Sequence, residues 1–101
     1  MKKPRIDVPE DEVAFFCKKH HVRKLSLFGS VLRDDFGPGS DIDVLVEFEQ
    51  GETPGFFGIF DMEEELSNLL GGIKVDIRTP EDLSRYFRDE VVKNAAVQYD
   101  A

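Results

Sequence analysis

The chain has 101 residues, of which 41% are hydrophobic and 34% are charged, and its formal net charge is −8 at pH 7. This length suits one domain spanning residues 1–101, and so acidic a surface disfavours direct binding to the phosphodiester backbone of a nucleic acid. No apolar run reaches membrane-spanning length and no signal peptide is recognisable, so we expect a cytoplasmic protein without a membrane partner. Small domains often gain stability by association, which leaves a homo-oligomer open.

Periodicity and turn residues predict seven elements, in the order helix, strand, short helix, strand, helix, strand, helix. Their approximate bounds are 9–20, 25–28, 30–35, 41–48, 56–70, 73–78 and 80–96. This alternation is typical of an α/β domain, here with a small three-stranded mixed sheet flanked by helices. Along the second strand, the even positions form an apolar face and the odd positions form a mixed face.

Several boundaries follow from capping residues. Pro9 and the acids after it begin the first helix, and Thr79 as N-cap with Pro80 in the first helical position begins the last. Gly71 and Gly72 end the helix over 56–70, because glycine readily adopts the left-handed C-cap conformation.

The helix over 56–70 combines apolar and acidic residues. Its apolar positions recur at helical spacing, with one polar interruption at Glu63. The run Glu63-Glu64-Glu65 is interpreted as a solvated helix face. The inner stripe is expected to comprise Phe56, Ile59, Phe60, Glu63, Leu66, Leu69 and Leu70.

Nucleophiles and nitrogen or sulfur ligands are scarce. The only cysteine, Cys17, excludes an internal disulfide and indicates a reducing compartment. Its neighbours Phe15 and Phe16 favour a buried structural thiol over a nucleophile. His20 and His21 are adjacent, so their side chains diverge on a helix, and we interpret them as a helix end with His21 in the C-cap turn.

One stretch combines a candidate phosphate-binding turn with paired carboxylates. Gly29 and Ser30 follow the first strand, where a glycine lets the backbone approach a phosphate and a hydroxyl at a helix N-terminus can bind it. Asp41 and Asp43 lie two residues apart on a strand, so their side chains share one face. Because Mg²⁺ prefers carboxylate oxygens and substrate phosphates, this face is a candidate site for Mg²⁺ and a nucleoside triphosphate.

Asp76 is the candidate third carboxylate of this site. It is flanked by Val75 and Ile77 on the third strand, where a carboxylate rarely lies unpaired. If the second and third strands are neighbours, Asp76 lies beside Asp43 on the same face. In a two-metal site, three carboxylates hold ions that activate an attacking hydroxyl and stabilise leaving pyrophosphate.

Arg33 and Ser40 complete the candidate nucleotide-binding set. Arg33 lies about one helical turn after Ser30, within reach of a terminal phosphate, of Asp35 or of a catalytic acid. Ser40 precedes Asp41 in a turn and is interpreted as a hydrogen-bonding residue that sets the start of the strand.

Each of these features also has an ordinary structural interpretation. A Gly-Ser pair after a strand is usually a turn, Asp76 alone pairs with a flanking cation, and Arg33 with the two acids after it forms an exposed ion-pair cluster. Taken singly, only Asp41 with Asp43 favours a functional site. Taken jointly, the spacing of all the features favours one.

The segments 27–35 and 40–46 resemble the signature of the minimal nucleotidyltransferases, the smallest members of the DNA polymerase β-like superfamily. The resemblance extends over most of the chain, including 51–55, 71–76 and 79–83, and implies a nucleotidyltransferase fold resembling the polymerase β palm. By this resemblance, Gly29 and Ser30 match the triphosphate-binding turn and Arg33 matches the arginine of the motif. Asp41 and Asp43 match the metal-binding pair, and Asp76 matches the third carboxylate.

Family members of this size typically lie beside a HEPN-domain partner and act as the antitoxin of a toxin–antitoxin pair. The resemblance therefore implies Mg²⁺-dependent transfer of AMP from ATP to a hydroxyl, expected to be a tyrosine, on the toxin. A second hypothesis is a non-catalytic antitoxin that masks its partner sterically. A third, transfer to a small molecule such as an aminoglycoside, is less favoured, because 101 residues leave no room for an acceptor-binding domain unless a dimer supplies the pocket.

Overall fold

The computed structural model describes residues 6–34 and 36–101. Within these residues it contains four strands, three α-helices and two short 3-10 helices. The strands are β1 Val22–Phe28, β2 Ile42–Phe48, β3 Val75–Arg78 and β4 Ala96–Asp100. The helices are α1 Glu10–Lys19, α2 Phe56–Leu69 and α3 Arg88–Asn94, and the 3-10 helices are Gly29–Leu32 and Pro80–Asp82.

The strands form one mixed sheet in the order β3-β2-β1-β4. β1 runs antiparallel to both β2 and β4, whereas β2 and β3 are parallel. Parallel neighbours require a crossover connection, and α2 supplies it between β2 and β3. The predicted α/β class and mixed sheet are confirmed, but the predicted strand count of three is wrong, because β4 adds a fourth strand on the far side of β1.

The helix predicted over 80–96 is wrong as one continuous element. Thr79 and Asp82 form the capping box of a single 3-10 turn, which confirms a helix start at Thr79 and Pro80. The backbone then becomes extended at Leu83, and the α-helix α3 begins only at Arg88. Pairing of β4 with β1 accounts only for the end of the helix at Asn94, because β4 begins at Ala96.

The core lies on one face of the sheet, beneath α1 and α2. α1 packs on β1 and β4, and α2 packs on β3 and also contacts α1. Three of the four even positions of β2 are buried as predicted, with Ile42, Val44 and Val46 each fully covered, and the fourth, Phe48, is half-buried. Cys17 is fully buried as expected, and this burial raises the pKa of its thiol to about 12. None of the helices in the described part of the chain is long and apolar enough to cross a membrane.

The two predicted helix ends are both present. His21 has φ of 59°, a left-handed conformation, directly after α1. Gly71 and Gly72 both have positive φ after α2, and the amide of Gly72 donates to the carbonyl of Ser67 at 2.8 Å. Left-handed residues therefore close both helices, as the sequence indicates.

The inner stripe predicted for α2 is partly wrong. Met62 and Leu66 are the buried residues of this helix, whereas Phe56 and Phe60 are exposed. The buried stripe of the helix therefore includes Met62, which the sequence prediction omitted, and excludes Phe56 and Phe60.

The acidic run of α2 is not a uniformly solvated face. Glu63 is half-buried, and its Oε2 accepts a hydrogen bond of 2.7 Å from the amide of Ile77 on the edge strand β3. Glu65 contacts Lys19 at 2.5 Å and His20 at 3.0 Å. Two of the three acids thus tie α2 to β3 and to α1, and the interpretation of a solvated face fits only Glu64, which is exposed.

Candidate active site

The centre of the candidate site is a pair of carboxylates on neighbouring strands. Asp43 of β2 and Asp76 of β3 are partners in the parallel register, and both are half-buried. Residues in register on adjacent strands project to the same side of a sheet. The conditional prediction that β2 and β3 are neighbours is confirmed, and Asp76 therefore lies beside Asp43.

The turn after β1 lies against the same carboxylate. Phe28 pairs with Asp43 across the antiparallel strands, and Gly29 follows with φ of +76°. A Cβ atom built on Gly29 would collide with the Asp43 carboxylate. Glycine is thus required here twice, for the left-handed backbone and for the close approach of the turn to the carboxylate.

The element after this turn is shorter than the helix predicted over 30–35. A single 3-10 turn covers Gly29–Leu32, and Arg33 is already extended, with its amide donating to the carbonyl of Ser30 at 2.9 Å. So short a turn sums few peptide dipoles, which weakens the expected helix-terminus attraction for an anion. Ser30 is half-buried and Arg33 is exposed at the surface. Asp35 lies outside the described residues.

Asp41 lies one residue before β2, so it stands at the rim of the sheet rather than within it. Its side chain is 47% exposed, and its Oδ2 is 3.8 Å from the Nζ of Lys74. Asp76 likewise has a cationic neighbour, since its Oδ2 is 3.1 Å from Nη2 of Arg78. Both flanking carboxylates are therefore partly charge-compensated by residues of the β3 segment.

Ser40 takes part in the turn that precedes Asp41. Its hydroxyl accepts a hydrogen bond of 3.2 Å from the amide of Gly37, and its own amide donates to the carbonyl of Gly37 at 3.0 Å. These contacts support the interpretation of Ser40 as a residue that shapes the start of the strand.

Asp43 has the most strongly perturbed environment of the three carboxylates. Burial, followed by the negative charges of Asp76 and Asp41, raises its pKa, while Arg78 and Arg33 act in the opposite direction. An excess of negative charge therefore gathers around Asp43.

Among residues 6–34 and 36–101, no group of three or more His, Cys, Asp or Glu side chains is arranged to hold a metal ion, so Asp41, Asp43 and Asp76 do not form a preassembled three-carboxylate site. The donor set nevertheless has the chemistry that suits Mg²⁺. Its ligands are carboxylate oxygens, and a divalent cation relieves the like-charge repulsion at Asp43. Mg²⁺ normally keeps water and substrate phosphate among its ligands, so a partly open carboxylate face fits it better than a closed cage does.

A cavity of about 740 Å³ opens beside the turn after β1. One wall is formed by Gly29, Leu32 and Arg33, and the other by α3 and the residue after it. The α3 wall contributes Glu90, Lys93, Asn94 and Ala95. Sequence analysis missed this wall, because no motif marks these residues and their position depends on the pairing of β4 with β1.

The family model described as a nucleotidyltransferase domain matches residues 12–98. The chain belongs to this family. The predicted relationship to the nucleotidyltransferases is therefore confirmed, and the matched residues include the whole carboxylate face and the turn after β1.

Curated relatives carry a more specific description. A protein of Methanocaldococcus jannaschii assigned to the protein adenylyltransferases is 47% identical over 60 residues, which is 59% of this chain and 58% of that one. The protein adenylyltransferase MntA of Thermococcus cleftensis is 41% identical over 55% of this chain and 54% of its own. The aligned part of the chain thus spans little more than half the length of these two relatives.

Solved structures agree in fold. A structure assigned as a minimal nucleotidyltransferase superposes with a TM-score of 0.69 at 32% identity and covers 85% of both chains. A toxin–antitoxin crystal structure with AMP-PNP superposes with a TM-score of 0.72, covering 93% of this chain and 75% of that one. Its identity is only 18%, so this second likeness shows the fold alone.

Proposed function

We propose that this protein is a nucleotidyltransferase that moves AMP from ATP to a hydroxyl of a partner protein. The observation that carries the proposal is the register pairing of Asp43 with Asp76, directly against the Gly29 turn. The adenylyltransferase descriptions of the two relatives support ATP as the donor. The partner we propose is a HEPN-domain toxin with a tyrosine as acceptor, so that the protein acts as an antitoxin; the shared fold of a toxin–antitoxin structure supports this.

The proposed metal ligands are Asp41, Asp43 and Asp76. When bound there, Mg²⁺ would supply charge neutralisation for the triphosphate and for the attacking and leaving oxygens. The raised pKa of Asp43 supports this assignment, since burial and its neighbouring carboxylates disfavour the ionised form in the absence of a cation.

The residues of the chain itself mainly position the triphosphate and neutralise its charge. The Gly29 turn brings backbone close to the carboxylate face, where Ser30 can offer a hydroxyl to a phosphate. Arg33 and Lys93 line the neighbouring cavity from opposite walls and bring positive charge to it. We propose that the triphosphate lies between these cations and the carboxylate face, where the two cations offset the phosphate charge although Glu90 lines the same wall as Lys93.

The transfer itself exchanges one bond for another at the α-phosphorus. The acceptor oxygen bonds to the α-phosphorus, the bond from that phosphorus to the bridging oxygen breaks, and pyrophosphate leaves with the bond's electron pair. We propose that Asp76 accepts the proton of the hydroxyl, because it is the carboxylate on the edge strand, where an acceptor can approach.

The test is the intact mass of the partner. The protein is co-expressed with the proposed HEPN-domain partner, and the mass of the intact partner is measured by mass spectrometry. We expect a gain of one or more AMP groups with the wild-type protein and none with Asp41→Asn combined with Asp43→Asn. A stable complex without any mass gain would instead support the non-catalytic antitoxin that masks its partner.

A further inference from the structure

The charges of the chain are strongly segregated. The forty residues from 34 to 73 contain eleven acidic residues and no Lys, Arg or His. α2 lies inside this segment and carries four acids without a single cation. Every basic residue therefore lies on the two flanking parts of the chain. Some of these cations pair with acids of the segment, as Arg23 does with Glu47 and Lys74 with Asp41, so the acidic surface is the outer face of α2, where Asp61 and Glu64 are exposed.

Three phenylalanines interrupt this acidic surface at the start of α2. Phe56 is 83% exposed, Phe57 80% and Phe60 52%. The first two rings meet edge to face, with centroids 5.7 Å apart. One turn on, Phe60 lines a groove of about 490 Å³ between α2 and the edge strand β3. A cluster of exposed aromatic side chains of this kind indicates an interaction surface.

The first turn of α2 is held in place without help from these rings. Gly58 is approached so closely by the ring of Pro54 that a Cβ there would lie only 2.8 Å from the Pro54 Cβ. A proline packed against a glycine fixes the backbone from which Phe56 and Phe57 project. Aromatic side chains presented on a fixed backbone lose little entropy when they are buried by a partner.

We propose that Phe56, Phe57 and Phe60 are the docking surface for the protein partner, which meets them with an apolar pocket rimmed by Lys and Arg. The proposal rests on the proposed function for the existence of that partner. Asp61 and Glu64 lie one turn from Phe57 and Phe60 respectively, and both acids are exposed. They form the acidic rim that selects a basic surround.

Charge argues against the other occupants of this surface. A two-fold symmetric dimer through this face would bring one acidic surface against another, and nucleic acid or an anionic membrane would be repelled in the same way. A partner with basic residues around an apolar pocket satisfies both the rings and the acids.

The two most exposed rings of the docking surface are separate from the catalytic face, although the groove that Phe60 lines runs on to Lys74, whose Nζ lies 3.8 Å from Asp41. α2 begins beyond the carboxyl end of β2 and returns to the amino end of β3, where Asp76 lies beside Asp43. Phe56 and Phe57 are therefore at the opposite end of the crossover from the carboxylates. Loss of these rings should raise the KM for the protein partner and leave the KM for ATP unchanged.

The experiment titrates the purified HEPN-domain protein, the proposed partner, into the intact chain by calorimetry. We expect Phe56→Ser combined with Phe57→Ser to weaken binding at least about 30-fold, the loss typical of aromatic anchors. The matched control is Phe15→Ser, because Phe15 is 68% exposed on α1, outside the acidic segment; it should change the affinity less than about twofold. Charge reversal by Glu64→Lys should slow association.

Each outcome has a distinct meaning. Partner binding by the wild type with unchanged affinity of the double serine variant overturns the docking surface and leaves the proposed function standing. Absence of any wild-type binding overturns the proposed partner and this inference with it. A dimer of the chain that becomes a monomer in the double variant would show that a second copy occupies the surface, which contradicts the proposal.

Discussion

Gly29→Ala should damage both stability and activity, and the structure separates the two costs. The first is the backbone: a residue with a Cβ at φ of +76° costs about 1–2 kcal/mol. The second is the collision of the new Cβ with the Asp43 carboxylate, an overpacking that costs a further 1–3 kcal/mol or so. The sum is about 2–5 kcal/mol, a large share of the stability of a small domain.

The matched control is Gly51→Ala. Gly51 has φ of +80°, and a Cβ there meets nothing within 4 Å, so this variant carries the backbone cost alone. Urea unfolding of both variants should therefore differ by the collision term. AMP transfer should persist in Gly51→Ala and be lost in Gly29→Ala, because the collision displaces the carboxylate proposed to hold the metal.

A double-mutant cycle tests the physical cause. Adding Asp43→Ala removes the atoms that Gly29→Ala would strike, so the cost of the glycine substitution should fall to that of Gly51→Ala. We expect a coupling free energy of about 1 kcal/mol or more. Coupling near zero, or a Gly29→Ala variant with wild-type transfer activity, would refute the reasoning.

Two further predictions concern groups away from the carboxylate face. Burial acts to raise the pKa of Glu65, but hydrogen bonds from Lys19 and His20 outweigh it, so the folded-state pKa lies below the unfolded value of 4.5. The resulting stability is present above that value and disappears as the pH falls through the folded pKa. Glu65→Gln should therefore lower stability at pH 7 by about 1 kcal/mol or less, and this loss should shrink as the pH falls below the unfolded pKa, whereas Glu64→Gln should be neutral throughout. Cys17, fully buried with its pKa raised to about 12, should not react with a thiol reagent in the native protein and should react fully in denaturant; rapid labelling of the native protein would contradict this.

The parts of the fold that could be predicted are those with a strong local pattern. β2 alternates apolar and polar residues, so its buried face followed directly from period-two spacing. Asp76 stood out as an acid between Val75 and Ile77, and the parallel register with β2 then placed it beside Asp43.

The parts of the fold that could not be predicted depend on contacts between distant segments of the chain. β4 is a five-residue strand whose pairing with β1 decides its structure, and α3 reaches the cavity only because that pairing holds its end in place. Glu63 and Glu64 are indistinguishable in sequence, yet only Glu63 meets an outward amide of the edge strand. Phe56 and Met62 are both apolar residues of α2, yet Phe56 is exposed and Met62 is buried, which the spacing of apolar residues did not predict.

The most direct test of the central claim follows the label of ATP. The purified protein is incubated with its HEPN-domain partner, Mg²⁺ and ATP labelled on either the α- or the γ-phosphate, and radioactivity on the partner is measured. The account predicts transfer of the α label, no transfer of the γ label, and loss of transfer with Asp43→Asn. Transfer of the γ label, or α-label transfer that survives Asp41→Asn combined with Asp43→Asn, would contradict it.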